Sequence, residues 1–269
     1  MMNRVDPQLP EPLQPFDGLA AAVAPSLQRI DNLLGPAENT PLAPRRFLPN
    51  SIEAIRVELT YNSNAIEGST LTLRDTQLVL EGLTPPGGKP LREIYEARNH
   101  DRALRQIEEW AAKRTTDAPI TERDLLDIHA IVLADIDPAS AGRFRSDRVL
   151  IKGTRYIPPG PHKFDQLIPA LLSLVSRAGI QPVLLAAELH YNLVAVHPFA
   201  DGNGRTARLF MNLQLLRRGY PPAIIEVTRR AEYLAALEEA NAGHCEPFAR
   251  FIIESTERTI QRLLGPPPP

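Results

Sequence analysis

Cysteine is nearly missing from this chain: Cys245 is the only one in 269 residues. An intrachain disulfide and a cysteine-based zinc site are therefore both excluded. No apolar run approaches the about 18 residues that a membrane-spanning helix needs. The first residues lack the basic-then-apolar pattern of a secretory signal. Excess charge of one sign is missing too. The 30 Lys and Arg against 32 Asp and Glu leave a formal net charge of −2, so no global field draws the chain to nucleic acid or to an anionic membrane. No segment repeats at a period of 20–50 residues, which removes solenoids and propellers. The expectation is a cytoplasmic protein with no membrane partner and no direct nucleic-acid binding.

What is present is ordinary globular composition, 43% apolar and 23% charged, on a chain long enough to bury a substantial core. Proline is plentiful, 27 in all, and gathers at the ends and in loops. Residues 1–49 read as a Pro-rich extension with room for a helix at 17–34. Asn50 and Glu53 have the spacing of a capping box, opening a helix that carries Ile52, Ile55 and Leu59 on one face and stops near Glu67 and Gly68. Helical spacing predicts further helices at 72–81, 91–112, 121–134, 164–178, 183–196, 205–218, 229–242 and 246–264. Val149, Leu150 and Ile151, the turn Lys152-Gly153, and Thr154 to Ile157 read as a small β-hairpin closed by Pro158 and Pro159. The predicted class is all-α with one hairpin: a single domain over about 50–265, then a Pro tail, Pro266 to Pro269, that cannot continue the last helix.

The densest chemistry is the run His197-Pro198-Phe199-Ala200-Asp201-Gly202-Asn203-Gly204-Arg205-Thr206-Ala207-Arg208. His197 is a candidate base, since imidazole titrates in the useful range. Asp201 offers the oxygen that magnesium prefers. Gly202, Asn203 and Gly204 allow a turn that aims several N–H groups at one anion. Arg205 and Arg208 bring forked donors for phosphate oxygens. The predicted helices on either side place this turn at a helix N-terminus, where unpaired N–H groups and the helix dipole favour negative charge. Phe199 reads as a core anchor that pins the loop. Asp201 also suits an Asx-turn, and Asn203 a left-handed turn residue. The other five histidines, His100, His129, His162, His190 and His244, read as structural or surface groups. His190 precedes His197 by seven residues, but no carboxylate at metal-ligand spacing completes a two-histidine site.

This run resembles the signature of the Fic (filamentation induced by cAMP) family, His-Pro-Phe-x-Asp/Glu-Gly-Asn-Gly/Lys-Arg, with every fixed position present and a second arginine after it. Upstream, Ser63-Asn64-Ala65-Ile66-Glu67-Gly68 is similar to the family's inhibitory motif, Ser/Thr-x-x-x-Glu-Gly/Asn. Gly142-Arg143-Phe144-Arg145 and Val149 to Pro159 look like its target-docking flap, and Tyr233 to Asn241 like its adenine-side helix. The likeness spans roughly residues 50–262.

The resemblance implies a protein adenylyltransferase that moves AMP from ATP to a Ser, Thr or Tyr hydroxyl, with His197 as base. Asp201 would hold Mg²⁺ or Mn²⁺ across the α- and β-phosphates, and Asn203 would donate to a phosphate oxygen. Arg205 would contact the β-phosphate and Arg208 the γ-phosphate. Glu67 would pair with Arg208 and so inhibit. A carboxylate at a helix C-terminus opposes the dipole by roughly 0.3–1 kcal/mol, and a cationic partner would offset that. Tyr233, Leu234 and Asn241 would lie near the adenine. The edge formed by Val149, Leu150, Ile151, Tyr156 and Ile157 would align a protein target, the chain itself included, as an added strand. Two alternatives stand beside this reading: removal of AMP from a modified protein by the same site, and a non-catalytic regulatory or toxin-partner module. A homodimer is compatible with either.

Overall fold

The computed structural model describes residues 9–34, 49–114 and 118–265. The expectations for residues 1–8, for 35–48, for the side chain of Asn50 and for the terminal prolines lie outside the described residues. Among the described residues the regular structure is entirely helical. It comprises α1 (Ala20–Leu34), α2 (Pro49–Ile66), α3 (Leu73–Leu80), α4 (Leu91–Lys113), α5 (Glu122–Val132), α6 (Phe164–Ser173), α7 (Pro182–Val196), α8 (Asn203–Arg217), α9 (Arg230–Asn241) and α10 (Glu246–Leu264), with short 3₁₀ turns between some of them.

The architecture is organised around α7 and α8, which pack against each other and are buried on nearly every side. A helix with no solvent face must lie inside. One face of the pair joins α4, α5 and α6 through Leu104, Leu125, Leu167, Leu189 and Phe210. The other joins α1, α9 and α10 through Ile30, Tyr191, Met211, Phe248 and Ile252. The two core halves are thus divided by the helices that flank the His197–Arg208 loop. Residues before α1 also reach α7. Phe16 is fully buried, and Asn192 exchanges hydrogen bonds with the Gln14 backbone, 2.8 Å and 3.0 Å.

Local chemistry fixes the ends that matter. Gln181 caps α7, its side-chain oxygen accepting the N–H groups of Val183 (2.6 Å) and Leu184 (3.2 Å), and Pro182 occupies the first turn, where its missing N–H does no harm. At the other end Pro198 disfavours helical geometry in the residue before it. His197 leaves the helix in a left-handed conformation, φ 49° and ψ 57°. Capping boxes set α3 (Thr72 with Asp75) and α5 (Thr121 with Asp124).

Two expectations differ from the structure. The helix predicted at 164–178 stops at Ser173, runs through a 3₁₀ turn and ends before Arg177, whose guanidinium is engaged by buried Glu188 and by Asp17. The hairpin predicted at 149–157 keeps its Lys152-Gly153 turn, with Gly153 at φ 88°, but forms no strand. No backbone–backbone hydrogen bond joins its arms. A two-stranded ribbon with no sheet to join is marginal in water, and this one stands off the surface with Leu150 82% and Ile157 71% exposed. Its one firm anchor is Tyr156, whose hydroxyl donates to the Ala195 carbonyl at 3.0 Å.

Candidate active site

His197 sits between the end of α7 and the phosphate-type turn. A non-glycine residue at positive φ is strained by roughly 1–3 kcal/mol, and three bonds hold it there. Its N–H donates to the Leu193 carbonyl at 3.0 Å. Its ring Nδ1 faces the Val194 carbonyl at 3.3 Å. Its own carbonyl accepts from Arg145 Nε at 2.8 Å. A carbonyl facing Nδ1 assigns the proton to that nitrogen and leaves the lone pair on Nε2. Burial pushes the imidazole down to about 4, against the Val194 hydrogen bond that favours its charged form; Arg145 lowers it further, while Glu67 and Asp201 raise it. The ring is neutral at pH 7 and able to accept a proton.

The loop beyond it is clamped by side chains. Asn203 donates to the Phe199 carbonyl at 2.8 Å and accepts the Phe199 N–H at 2.9 Å. Phe199 stacks on His129, ring centroids 3.7 Å apart, and His129 Nε2 meets the Asp201 carbonyl at 3.0 Å. The Asn203 amide, expected to face a phosphate, is thus engaged in closing the loop. What it presents to an anion is its backbone N–H. The first bond of the α8 ladder runs from Thr206 N–H to the Gly202 carbonyl, so the amides of Asn203, Gly204 and Arg205 precede the ladder and form the helix's anion-facing turn.

Asp201 accepts from Arg92 at 2.6 Å and from Arg205 at 3.5 Å. Its burial opposes charge, but Arg205, the Gly202 N–H and Arg92 together hold its carboxyl below the usual range, so it is ionised. No group of three or more His, Cys, Asp or Glu that could hold a metal occurs among the described residues. A lone carboxylate, 47% exposed, nonetheless fits magnesium, which takes one or two carboxylates and completes its shell from substrate phosphates and water. Arg92, 58% exposed, is free to leave. Arg205 is buried and held from the other side by Glu96 at 3.2 Å.

Glu67 lies just beyond α2 and closes over this turn. Arg208 donates from Nη2 to the Glu67 carboxylate at 2.7 Å and to the Ser63 carbonyl at 2.8 Å, and from Nε to Ser63 Oγ at 2.9 Å. Arg230 donates to the Ile66 carbonyl at 2.7 Å, so two guanidinium groups satisfy the C-terminal carbonyls of α2 and offset the unfavourable placement of Glu67. Burial raises the Glu67 carboxyl, yet Arg208 and then Arg205 leave it net lowered. Its Oε1 stands so close to Gly204 that a Cβ there would fall 2.2 Å from it. A carboxylate is therefore seated on the first turn of α8, the position an anion favours.

The remaining predicted residues divide. Tyr233 points inward: it is buried, its hydroxyl meets His190 Nε2 at 2.9 Å, and it packs beside Phe248 and Phe251. This aromatic cluster takes up its ring. His190 is correspondingly structural, stacked on Phe248 at 5.5 Å. Leu234 is partly exposed, and Asn241 Oδ1 accepts from the Tyr191 hydroxyl at 3.4 Å. Sequence reasoning missed Glu96 and Arg92, which α4 brings from far along the chain; His129, read as structural or surface, is structural, held under Phe199 by α5. Sequence reasoning also passed over the task of Arg145, whose Nη groups donate to the Asp147 and Pro159 carbonyls, both at 2.6 Å. That side chain ties both stems of the flap to the carbonyl of His197.

Residues 119–215 match the model of the Fic/DOC family. The chain is 43% identical over 209 residues to protein adenylyltransferase fic-1 of Caenorhabditis elegans, covering 76% of this chain and 40% of that protein. It is 41% identical over 207 residues to protein adenylyltransferase Fic of Drosophila virilis, covering 76% and 42%. The chain thus spans about two fifths of the length of these curated relatives. A solved fragment of Fic-1 from C. elegans superposes with a TM-score of 0.76 at 33% identity, covering 91% of this chain and 72% of that one.

Proposed function

This chain belongs to the Fic/DOC family, and from that premise we propose that it is a protein adenylyltransferase held inactive by Glu67. The observation that carries the reading is the seat of the Glu67 carboxylate: on Gly204, at the head of α8, paired with Arg208. An anion site large enough to hold a side-chain carboxylate, lined by backbone amides and two arginines, suits a nucleotide triphosphate. One native carboxylate already fills part of it.

In the transfer, a hydroxyl oxygen of the target attacks the α-phosphorus of ATP. The bond from that phosphorus to the bridging oxygen breaks, pyrophosphate leaves, and the hydroxyl proton passes to Nε2 of His197. A neutral, buried imidazole held by Val194 and Arg145 supports that role. Asp201 is the residue that would hold Mg²⁺ or Mn²⁺, and the ion would supply charge neutralisation on the phosphates. Arg205 and the amides of the α8 turn hold phosphate oxygens. Arg208 joins them only when Glu67 withdraws. Tyr233, Leu234 and Asn241 border the base, and the backbone of 149–157, whose arms share no backbone–backbone hydrogen bond, receives the target segment.

A second reading, removal of AMP, is favoured by one observation: the Glu67 carboxylate is seated over Gly204, on the same loop that follows His197. A carboxylate there can orient water toward the α-phosphorus. The test is the Glu67→Gly chain incubated with a protein mixture and ATP labelled at the α- or the γ-phosphate. Label should pass to protein from the α position only, and His197→Ala in that background should abolish it. Transfer of γ-label, or α-transfer that survives His197→Ala, overturns the reading. AMP release from a labelled target by the parent, lost in Glu67→Gly, would mark the second activity.

A further inference from the structure

The flap carries an uneven charge. Between residues 143 and 163 the exposed ionic side chains are Arg143, Arg148, Lys152, Arg155 and Lys163 against Asp147 alone, in a chain whose formal net charge is −2. None of these five cations forms an ion pair among the described residues. At the phosphate-type turn, by contrast, Arg92, Arg205 and Arg208 each meet a carboxylate. Lys152 and Arg155 lie in the segment 149–157, whose arms share no backbone–backbone hydrogen bond, and Arg148 adjoins it. Leu150 and Ile157, the two most exposed large apolar side chains among the described residues, stand on that same segment. Arg145, the one buried cation there, is fully engaged with carbonyls of the flap stems and His197 and holds the platform in place.

From this arrangement we infer that the flap selects a target whose acceptor hydroxyl lies in an extended segment rich in aspartate and glutamate, with apolar residues next to the acceptor. The inference rests on the transferase reading and names its substrate class. Extended segments lay alternate side chains on opposite faces. Positions 148, 150 and 152 share one face, and 155 and 157 share one, so a strand added along 149–157 meets the cations and the apolar side chains together: acidic residues beside Arg148, Lys152 and Arg155 flank apolar ones against Leu150 and Ile157. Unpaired surface cations attract such a segment over about a Debye length and steer its approach. Single-stranded nucleic acid is a weaker match. Its bases bind by stacking on aromatic rings, and the one aromatic of 149–157, Tyr156, is tied to Ala195 by its hydroxyl.

Two measurements test the inference and separate it from the reading beneath it. The first is binding to the parent chain, without ATP, of a fluorescent peptide with one threonine between valines and flanked by aspartates and glutamates. Its comparators are the same peptide with lysines in place of the acids and a single-stranded oligonucleotide. The second is α-label transfer to both peptides by Glu67→Gly. The acidic peptide should bind and be labelled about tenfold better than the basic one, and the preference should shrink as salt rises. The triple variant Arg148→Glu, Lys152→Glu, Arg155→Glu should reverse the preference, a gain that a misfolded protein cannot show. Equal binding of both peptides, an unchanged preference in the triple variant, or binding of the oligonucleotide alone overturns the inference. Acidic-peptide binding with no transfer to any protein or peptide would leave the docking surface standing and remove the transferase reading.

Discussion

Gly204→Ala isolates the inhibitory contact, because it places one methyl group where the structure puts a carboxylate. The new Cβ would lie 2.2 Å from Glu67 Oε1 and 3.1 Å from Arg208 Nη1. The first distance is more than an ångström inside the roughly 3.5 Å of ordinary van der Waals contact. Gly204 lies in the first turn of α8, so alanine meets no backbone conflict, and the yielding partner is the end of a flexible side chain. Withdrawal of Glu67 breaks its 2.7 Å bond to Arg208. A charge-assisted hydrogen bond is worth roughly 1.5–3 kcal/mol. With Glu67 42% exposed, solvent screening reduces that to about 1–2 kcal/mol. A shift of that size moves the equilibrium between covered and open turns by roughly fivefold to thirtyfold. The expected outcome is a rise in kcat for α-label transfer of that order, read as kcat so that any crowding of the phosphates by the methyl group appears separately in KM for ATP. The control is the same substitution in Glu67→Gly. There it should add nothing, since the two changes act on one contact. A Gly204→Ala chain no faster than the parent, or one that adds its full gain on top of Glu67→Gly, would refute the steric account.

Two further predictions concern the frame of the site. Burial is the largest cause in each case by which His100 and His190 are pushed down to about 3, and His129 and His197 to about 4. The unfolded chain therefore binds more protons below about pH 6.5. Their contribution to stability is fully present above that pH and is lost as pH falls toward 4 and then 3, so the urea midpoint should drop between neutral pH and about pH 5. A flat midpoint over that range contradicts buried neutral imidazoles. Arg145→Ala should leave the carbonyls of His197, Asp147 and Pro159 without their donor, destabilise the chain by about 1 kcal/mol per bond lost, and lower kcat for protein targets. Because Arg145 also depresses His197, the acidic limb of the kcat profile should move to higher pH. Loss of activity with an unmoved profile would mean a purely structural role.

The sequence alone determined the helices, apart from the early end of α6 at Ser173, the glycine turn and the residue types around it, because these depend on short-range rules. Periodicity places apolar faces, Pro198 ends α7, and glycines open the turn at the head of α8. It determined the Glu67–Arg208 partnership only through a resemblance to a family motif. Nothing between residues 67 and 208 sets that distance locally. Tertiary packing decided the rest. It placed Tyr233 in an aromatic cluster with His190 and Phe248, where a large ring leaves water. It engaged Asn203 in the loop, brought Glu96 and His129 under Arg205 and Phe199, and gave Arg145 its three carbonyls. It also left 149–157 without a ladder, because β-forming residues need a second strand or sheet to pair with, and which neighbour the fold supplies is written nowhere in the segment itself.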